Sequence, residues 1–309
     1  MNEPVPDFVQ PMKAVLHDRP FSDPDWIFER KLDGIRCVAI KAAGEVRLLS
    51  RNELSLDGRF PEIAVALERD PADDFVVDGE VVAFAGSNTS FERLARRGHR
   101  RVPVYLYVFD VMHADGRDTR SQTLRERKRL LRRTLAFEGP VRLTPHRNGG
   151  GEALFEEACR KGWEGLIAKR ADSRYASARS RDWLKLKCSA EHELVVGGFT
   201  APKGTREELG ALLVGHFDHG RLRYAGKVGT GFDRATLHDL ARRLAPLRRG
   251  DSPFADEVKA RATTWVDPEL VVQIGFSEWT RDGRLRHPRF LGVRDDKDAR
   301  EVVRERAGA

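Results

Sequence analysis

The chain has 309 residues, 40% of them hydrophobic, which favours a folded protein of about two domains over a disordered chain. Its 55 lysines and arginines outnumber 48 acidic residues and give a net charge of +7, which indicates a polyanionic partner. The N-terminus lacks the features of a signal peptide, and no apolar run is long enough to span a membrane. We therefore expect a soluble, cytoplasmic protein with no membrane partner.

The three cysteines, Cys37, Cys159 and Cys188, are far apart in the sequence and lack the paired spacing of metal ligands. The sequence therefore predicts reduced, mostly buried thiols, as is usual in the cytoplasm. Neither a Walker loop nor a dinucleotide-binding fingerprint occurs in the chain. Nucleotide sites of the P-loop and Rossmann types are therefore not expected.

The first predicted elements lead to a lysine. Residues 1–25 are rich in proline and aspartate and predict an irregular arm, and a strand that begins at Trp26 then delivers Lys31. Residues 37–40 and 46–49 have the β-branched and aliphatic composition of a hairpin. Lys31 thus lies between two predicted strands.

Lys31 is a candidate nucleophile. A lysine amine reacts only when its pKa is lowered, and burial, a neighbouring cation or a bound metal can lower it. Gly34 would let the backbone approach a ligand closely, and Arg36 offers a planar set of donors for phosphate or ribose oxygens. An exposed Lys-Leu-Asp-Gly hairpin turn is the alternative, and this stretch alone does not decide between them.

Two acidic residues interrupt the next apolar segment. Arg51 follows the hairpin, where it could reach a ligand or simply be solvated, and residues 61–69 predict a short helix that starts with proline. Residues 74–84 predict a pair of strands interrupted by Asp78 and Glu80 around a glycine. Because unpaired buried carboxylates are costly, these acids either bind a metal or lie in a tight exposed turn, and we favour the metal.

A basic cluster precedes an aromatic strand. Five arginines lie between residues 91 and 101, and they suit a phosphate backbone or, nearly as well, a solvated helix face. Residues 104–111 predict a strand with three aromatic residues on one face, among them Phe109, which could stack on a base or pack in the core. Residues 124–137 predict a basic amphipathic helix whose arginines form a solvated face.

Charged residues also mark the following strands. After a predicted helix at 152–161, a short strand begins with the carboxylate of Glu164. Lys185 and Lys187 are two residues apart in the next predicted strand, so that both lie on one face. Two cations on one face would bind phosphate in a pocket, or would prevent aggregation at an exposed sheet edge.

The composition changes near residue 190. Short predicted strands broken by glycine turns follow, with one helix near 233–246, and this pattern is compatible with a small barrel of the oligonucleotide-binding (OB) type. The predicted fold class is α+β, with one domain at 1–190 and the OB-fold domain at 191–309.

The order of these motifs is more specific than any of them alone. The chain resembles the covalent nucleotidyltransferases, whose antiparallel sheets and helices resemble an ATP-grasp fold, and in particular the ATP-dependent DNA ligases. Within that family it is most similar to the ligase domain of bacterial end-joining DNA ligase D. The residues that carry the resemblance are Lys31-Leu32-Asp33-Gly34-Ile35-Arg36, Ser50-Arg51-Asn52, Asp78-Gly79-Glu80, Tyr107-Val108-Phe109-Asp110, Glu164-Gly165-Leu166-Ile167-Ala168-Lys169, Trp183-Leu184-Lys185-Leu186-Lys187 and Arg294-Asp295-Asp296-Lys297.

The resemblance implies that the enzyme seals breaks in double-stranded DNA at the expense of ATP. Lys31 would attack the α-phosphate and carry AMP, which then passes to a DNA 5′-phosphate and is displaced by a 3′-hydroxyl. Glu29 would recognise the adenine amino group and Phe109 would stack on the base. Arg36 and Arg51 would hold ribose or phosphate.

Further roles follow from the same resemblance. Glu80 and Glu164 would bind Mg²⁺ or Mn²⁺, and Lys185 and Lys187 would contact the α-phosphate. The remaining pair lies in the predicted OB-fold domain and would reach pyrophosphate only if that domain closes over the first. This pair is Arg294 and Lys297.

The resemblance also implies partners. We expect a monomer near the bacterial nucleoid that binds nicked or broken DNA, with the 96–101 cluster as a candidate DNA contact and a DNA-end-binding protein as a possible partner. An RNA ligase or a capping-type nucleotidyltransferase is the first alternative. A non-catalytic nucleic-acid-binding module is a remote one.

Overall fold

The structure is a computed structural model, and it describes residues 3–95, 97, 102–188, 190–202, 208–260, 262–280 and 282–304. The chain divides into two compact units, of which the first ends at Cys188 and the second begins directly after it. Across these described ranges, no helix is both long and apolar enough to cross a membrane.

Within its described residues, unit 1 contains two sheets and four α-helices. Its strands are β1 (Lys13–Leu16), β2 (Trp26–Arg30), β3 (Ile35–Ala42), β4 (Glu45–Ser50), β5 (Phe75–Ala85), β6 (Asn88–Thr89), β7 (Val104–Ala114), β8 (Arg117–Asp118), β9 (Val141–Leu143), β10 (His146–Asn148), β11 (Gly165–Arg170) and β12 (Arg179–Lys187). Its helices are α1 (Pro61–Glu68), α2 (Phe91–Ala95), α3 (Leu124–Thr134) and α4 (Gly151–Arg160).

The smaller sheet has five strands in the order β1-β12-β11-β2-β10. Successive residues of a strand point to opposite faces, so each strand contributes to two environments. One face is apolar and packs against α4 in a single buried cluster. Its fully or nearly fully buried members are Phe28, Leu154, Ala158, Leu166, Ala168 and Leu186. By strand alternation Glu29 of β2, Lys169 of β11, and Lys185 and Lys187 of β12 therefore lie on the opposite face.

The larger sheet has the order β4-β3-β5-β7-β8, with β6 and β9 paired at β5 and β7. One face packs on α1, α2 and α3 and forms the largest buried cluster of the unit. A second cluster joins Val38 of β3 and Phe109 of β7 to Trp183 of β12, which belongs to the smaller sheet. The two sheets of unit 1 therefore share a core, which includes the candidate residue Phe109.

Local sequence signals explain the helix ends. Pro61 occupies the first turn of α1, where its missing N–H costs no hydrogen bond. Thr123 and Glu126 form a reciprocal capping box at the start of α3, in which each side chain accepts from the other residue's backbone N–H. Both helices begin at or close to the predicted residues.

The structure corrects two predicted elements. The segment at 74–84 is the single strand β5, not a strand pair, so Asp78 and Glu80 lie inside a central strand and not in a turn. The predicted irregular arm contains β1, which pairs parallel with β12. β1 forms because β12 supplies partners for its backbone hydrogen bonds. The proline-rich sequence around it gave no sign of this pairing.

The prediction of three reduced cysteines is wrong. Cys159 at the end of α4 and Cys188 directly after β12 form a disulfide, and only Cys37 is a free, buried thiol. The two half-cystines are 29 residues apart in sequence, but the packing of α4 on the sheet brings their Cα atoms to 5.1 Å. Sequence spacing cannot show a proximity that the tertiary fold creates.

Unit 2 is built around one long strand. Its elements are β13 (Ala190–Thr200), β14 (Leu212–Asp218), β15 (Arg221–Val228), α5 (Arg234–Leu244), β16 (Arg248–Arg249), β17 (Thr263–Val266), β18 (Val271–Phe276), β19 (Glu278–Trp279), β20 (Leu285–Arg286) and β21 (Arg289–Val293). β13 pairs with β14, β17 and β18, and β18 continues to β21. The sheet forms a half-barrel with an OB-like fold, which agrees with the predicted α+β class.

Candidate active site

Lys31 lies in the segment that joins the two sheets of unit 1. Its backbone N–H donates to the carbonyl of Gly165 at 2.9 Å, and its Nζ lies 2.5 Å from Oε1 of Glu164. Asp33 anchors the same segment, because its Oδ2 accepts from the N–H of Phe91 at 2.7 Å. β2 and β3 belong to different sheets, so this segment is not the hairpin turn that was the alternative prediction.

The electrostatic environment of Lys31 is acidic. Burial alone lowers the pKa of Lys31, but the charges of Glu164, Asp33 and Glu80 and the hydrogen bond to Glu164 raise it by more. The net shift is upward, opposite to the lowered pKa that a nucleophilic lysine needs. A divalent cation that bound these carboxylates would offset their charge and remove the shift.

Glu29 is buried and paired with two lysines. Lys128 of α3 pairs with its Oε1, and Nζ of Lys169 on β11 lies 2.8 Å from its Oε2. Burial alone raises the pKa of Glu29, but the two lysines lower it below its usual value. Burial lowers the pKa of Lys169 to about 8, because desolvation, together with the smaller repulsion by Lys128, outweighs the attraction of Glu29. Glu29 is therefore an ionised acceptor.

Arg36 belongs to a second buried network. Its guanidinium contacts both oxygens of Asp78 at 2.5 Å and donates to the carbonyl of Met12 at 3.2 Å. Asp78 also accepts from the hydroxyl of Tyr175 at 2.6 Å. Arg36 is thus oriented by a carboxylate from the neighbouring strand, which would fix its fork of donors for a ligand.

The ring of Phe109 lies among cations. Nζ of Lys169 is 4.1 Å from its centroid, and the guanidinium carbon of Arg36 is 4.7 Å from it. Phe109 is only 8% exposed and contacts Trp183 edge to face. Its predicted role in stacking on adenine stays a prediction.

The strand register places further candidates in rows across the smaller sheet. Ile167 of β11 pairs with Glu29 on one side and with Lys185 on the other. Gly165, two residues before Ile167 on the same face of β11, pairs with Lys187. Leu184 and Leu186 pack on the opposite face, so the prediction that both lysines share one face is confirmed.

The other predicted residues of unit 1 lie on the larger sheet. Glu80 of β5 pairs with Arg36 on β3 and with Tyr107 on β7. Arg51 directly follows β4, whose last residue, Ser50, pairs with the neighbour of Arg36 on β3. Glu80 therefore belongs to the sheet that carries Arg36 and Arg51 adjoins it, while Lys31 and Glu164 adjoin the smaller sheet.

Two carboxylates near Lys31 suit a magnesium or manganese ion. In the part of the chain that the structure describes, no group of three or more His, Cys, Asp or Glu residues has the arrangement of a metal site. However, Mg²⁺ is commonly held by one or two carboxylates together with substrate phosphates and water. Glu164 contacts Lys31 directly and Glu80 contributes to the negative charge around the same amine, so both predicted metal ligands act on Lys31. Their binding of a metal stays a prediction.

Arg294 and Lys297 are held within unit 2. Arg294 donates to both oxygens of Asp296 at 2.8–2.9 Å, and Nζ of Lys297 lies 2.8 Å from the carboxylate of Glu193. Of the basic cluster at 96–101, only Arg97 falls within the described residues, where it pairs with Glu62 at 2.6 Å.

Two buried cations of α3 were missed by the sequence interpretation, which treated its basic residues as a solvated face. Arg127 is fully buried and pairs with Asp110, and Lys128 is 3% exposed and pairs with Glu29. A signal was available. Position 128 lies four residues after Leu124 and three before Leu131, both fully buried, and thus on the apolar face of the helix.

Comparison with known families agrees with this arrangement. Residues 7–187 match the family model of the ATP dependent DNA ligase domain, and residues 205–297 match the ATP dependent DNA ligase C terminal region. The chain belongs to the ATP-dependent DNA ligase family. Lys31, Glu164 and the paired lysines of β12 all lie within the first match.

Relatives and solved structures support the same family. The chain is 38% identical to the multifunctional non-homologous end joining protein LigD of Pseudomonas aeruginosa over 98% of its length, and 40% identical to LigD of Mycobacterium tuberculosis over 91%. It spans only 37% of either relative. A structure of mycobacterial DNA ligase D complexed with ATP and MES is 34% identical, with a TM-score of 0.70 and coverage of 96% of this chain and 98% of that one. The ligase domain of M. tuberculosis LigD gives 36% identity and a TM-score of 0.54, at 96% and 98% coverage.

Proposed function

We propose that this ligase joins 5′-phosphate and 3′-hydroxyl ends in double-stranded DNA, with Lys31 as the nucleophile. The observation that carries the proposal is the setting of Lys31. Its Nζ is in contact with Glu164, and its backbone is hydrogen-bonded to Gly165, the register partner of Lys187. The proposed nucleophile, metal ligand and phosphate-binding cation therefore lie on, or directly next to, the three neighbouring strands β2, β11 and β12.

The reaction has three bond exchanges. Nζ of Lys31, after losing its proton, attacks the α-phosphorus of ATP, and the bond to the β-phosphate oxygen breaks to release pyrophosphate. A 5′-phosphate oxygen of DNA then attacks the same phosphorus and displaces Lys31. Finally the DNA 3′-hydroxyl attacks the 5′-phosphorus and releases AMP. Lys185 and Lys187 would stabilise the negative charge that develops on the α-phosphate in the first two exchanges.

We assign the base and sugar contacts to the buried networks. Glu29 would accept from the adenine amino group, Phe109 would stack on the base, and Arg36 and Arg51 would hold ribose or phosphate oxygens. The support for Glu29 is that it is ionised and faces the same side of the sheet as Lys185. The support for Arg36 is its fixed orientation on Asp78.

We assign Glu80 and Glu164 to Mg²⁺ or Mn²⁺. A bound divalent ion would neutralise charge on the phosphates and favour the unprotonated form of Lys31. The upward pKa shift of Lys31 supports this assignment, because the carboxylates that cause it need a counter-charge before the lysine can react.

We further propose that the physiological reaction is end joining in DNA repair at the bacterial nucleoid, because both LigD relatives bear that name and cover nearly the whole chain. The positive net charge suits the DNA backbone. Arg294 and Lys297 would leave their carboxylate partners to bind pyrophosphate when unit 2 closes during adenylation. A protein that holds DNA ends together is the expected partner of a monomeric enzyme.

The test is adduct formation. Wild-type protein incubated with α-labelled ATP and Mg²⁺ should acquire label that is stable to denaturation, and the Lys31→Ala variant should acquire none. Lys41→Ala serves as the control, because that lysine is fixed on the carbonyls of Glu68 and Asp70. An unlabelled wild-type protein would contradict the proposal. A panel of nicked DNA, RNA-ended nicks and double-strand breaks then separates DNA ligation from RNA ligation or capping.

A further inference from the structure

The carboxylate of Glu29 is shared by two lysines that come from different elements. Lys128 reaches it from α3, and Lys169 reaches it along β11. All three side chains are almost fully buried, with exposures of 2% for Glu29, 3% for Lys128 and 1% for Lys169. Two buried cations on one carboxylate leave a net positive charge that costs desolvation, so one ion pair would have been sufficient for stability.

The two lysines differ in their other contacts. Nζ of Lys169 lies 4.1 Å from the centroid of Phe109 and 3.9 Å from that of Trp183, so its remaining N–H groups face aromatic rings. For Lys128 the structure gives one hydrogen-bonding partner among the described residues, the carboxylate of Glu29. An ammonium group has three N–H donors, so Lys128 keeps donors for a ligand beside Glu29.

We propose that Lys128 donates a hydrogen bond to N1 of adenine while Glu29 accepts one from the N6 amino group. The inference rests on the proposed function, since it requires that Glu29 contacts adenine. Each oxygen of Glu29 has two lone pairs, so the amino group can be accepted without displacing either lysine. The pair then reads the whole Watson–Crick edge of the base and makes Lys128 a determinant of nucleotide choice.

The same pair disfavours guanine. Adenine presents a donor at N6 and an acceptor at N1, whereas guanine presents an acceptor at O6 and a donor at N1. An ionised carboxylate only accepts and an ammonium only donates. Guanine would therefore place O6 against the Glu29 carboxylate and N1–H against the Lys128 ammonium. Unpaired buried polar groups give strong discrimination, which exceeds what shape alone achieves.

The test uses ATP analogues that lose one contact at a time. 1-Deaza-ATP replaces N1 by C–H, and purine riboside triphosphate lacks the N6 amino group. We expect the wild-type protein to form its labelled adduct ~10- to 100-fold more slowly, in kcat/KM, with either analogue than with ATP, the size of a lost hydrogen bond to a charged group. In Lys128→Met the 1-deaza penalty should disappear, because ATP itself is already slow, while the penalty for the missing amino group remains.

Matched variants isolate the contact. Lys128→Arg keeps a charged donor, so it should show part of the 1-deaza penalty. Lys169→Met leaves Lys128 in place, so it should show the full penalty of the wild type. A 1-deaza penalty in Lys128→Met equal to that of the wild type would overturn the assignment. So would a wild-type protein that uses ATP and 1-deaza-ATP equally well. The second outcome needs no variant and so does not depend on folding. Failure of the wild type to form any adduct with ATP would instead reject the proposed function.

Discussion

The ammonium of Lys31 and the carboxylate of Glu164 are 2.5 Å apart, and Glu164 directly precedes β11. Glu164 therefore has two possible effects on catalysis. As an ion-pair partner it raises the pKa of Lys31 and opposes the attack, and as a metal ligand it brings the charge that relieves this shift. The two effects predict opposite results when the carboxylate is neutralised.

We expect Glu164→Gln to slow adduct formation by about 100-fold or more, the size typical of losing one electrostatic contact in a reacting site. The amide is isosteric but cannot hold a divalent cation as a carboxylate does. Single-turnover labelling with ATP over a range of Mg²⁺ concentrations measures the effect. A faster reaction in Glu164→Gln would show that the ion pair is its main role.

The control for this variant is Glu157→Gln on α4. Glu157 pairs with Lys161 at 2.6 Å and with Arg147 at 3.2 Å, which are largely exposed side chains. Surface ion pairs of this kind contribute little, so adduct formation should be unchanged.

The ion pair of Arg127 and Asp110 should make a measurable contribution to the free energy of unfolding. Both side chains are fully buried and make two hydrogen bonds at 2.7 and 3.0 Å. We expect Arg127→Met to lower the free energy of unfolding by about 3–5 kcal/mol, because it leaves the Asp110 charge buried and unpaired. Urea unfolding followed by circular dichroism measures the change.

A second substitution separates charge from packing. In the double variant Arg127→Met, Asp110→Leu no charge remains, so much of the lost stability should return. Double and single variants that are equally unstable would show that the arginine acts through its volume and its hydrogen bonds to the carbonyls of Gln122 and Ser173.

The helices and most strands of unit 1 could be predicted from hydrophobic periodicity, because a buried face repeats at a fixed spacing. The pairing of Lys128 with Glu29 could not, since it joins residues 99 positions apart through the packing of α3. The same limit applies to Asp78. The sequence shows a carboxylate among valines, but only the structure shows that the side chain of Arg36 on β3 pairs with it.

The positions of the candidate residues were predicted best where one strand carries two of them. Lys185 and Lys187 share a face because strand geometry requires it. The interpretation of Gly34 was less complete. We expected its small size to admit a ligand, and the structure shows instead that it admits a strand of its own unit. A Cβ at this position would lie 2.2 Å from the carbonyl oxygen of Val81 on β5.

That distance predicts the effect of Gly34→Ala. Backbone cannot move as a side-chain end can, so we expect a loss of about 1–3 kcal/mol or more in the free energy of unfolding, together with slower adduct formation through displacement of Lys31. Gly58→Ala is the matched control, since a Cβ there meets nothing within 4 Å. Chemical unfolding and single-turnover labelling of both variants provide the comparison. Equal stability of the two would mean that β5 yields easily at Val81.

His146 predicts a pH dependence. It pairs with Glu29 across β10 and β2, and burial lowers its pKa from 6.5 to about 4, with Lys128 as the next cause. The folded protein therefore binds this proton more weakly than the unfolded chain does. Above pH 6.5 both states are neutral at this group and stability does not change with pH. As the pH falls from about 6.5 to about 4, protonation of the unfolded state lowers the stability.

We expect His146→Gln to remove that part of the pH dependence. His216 in unit 2 has a pKa lowered to about 4 by burial and His192, so the wild-type protein titrates at both positions and only the difference between proteins reports on His146. The free energy of unfolding measured from pH 7 to pH 4 should fall less steeply in the variant than in the wild type. His219→Gln, at a side chain that is 96% exposed, should follow the wild-type curve. Parallel curves for wild type and His146→Gln would show that His146 takes up its proton as readily in the folded protein as in the unfolded chain.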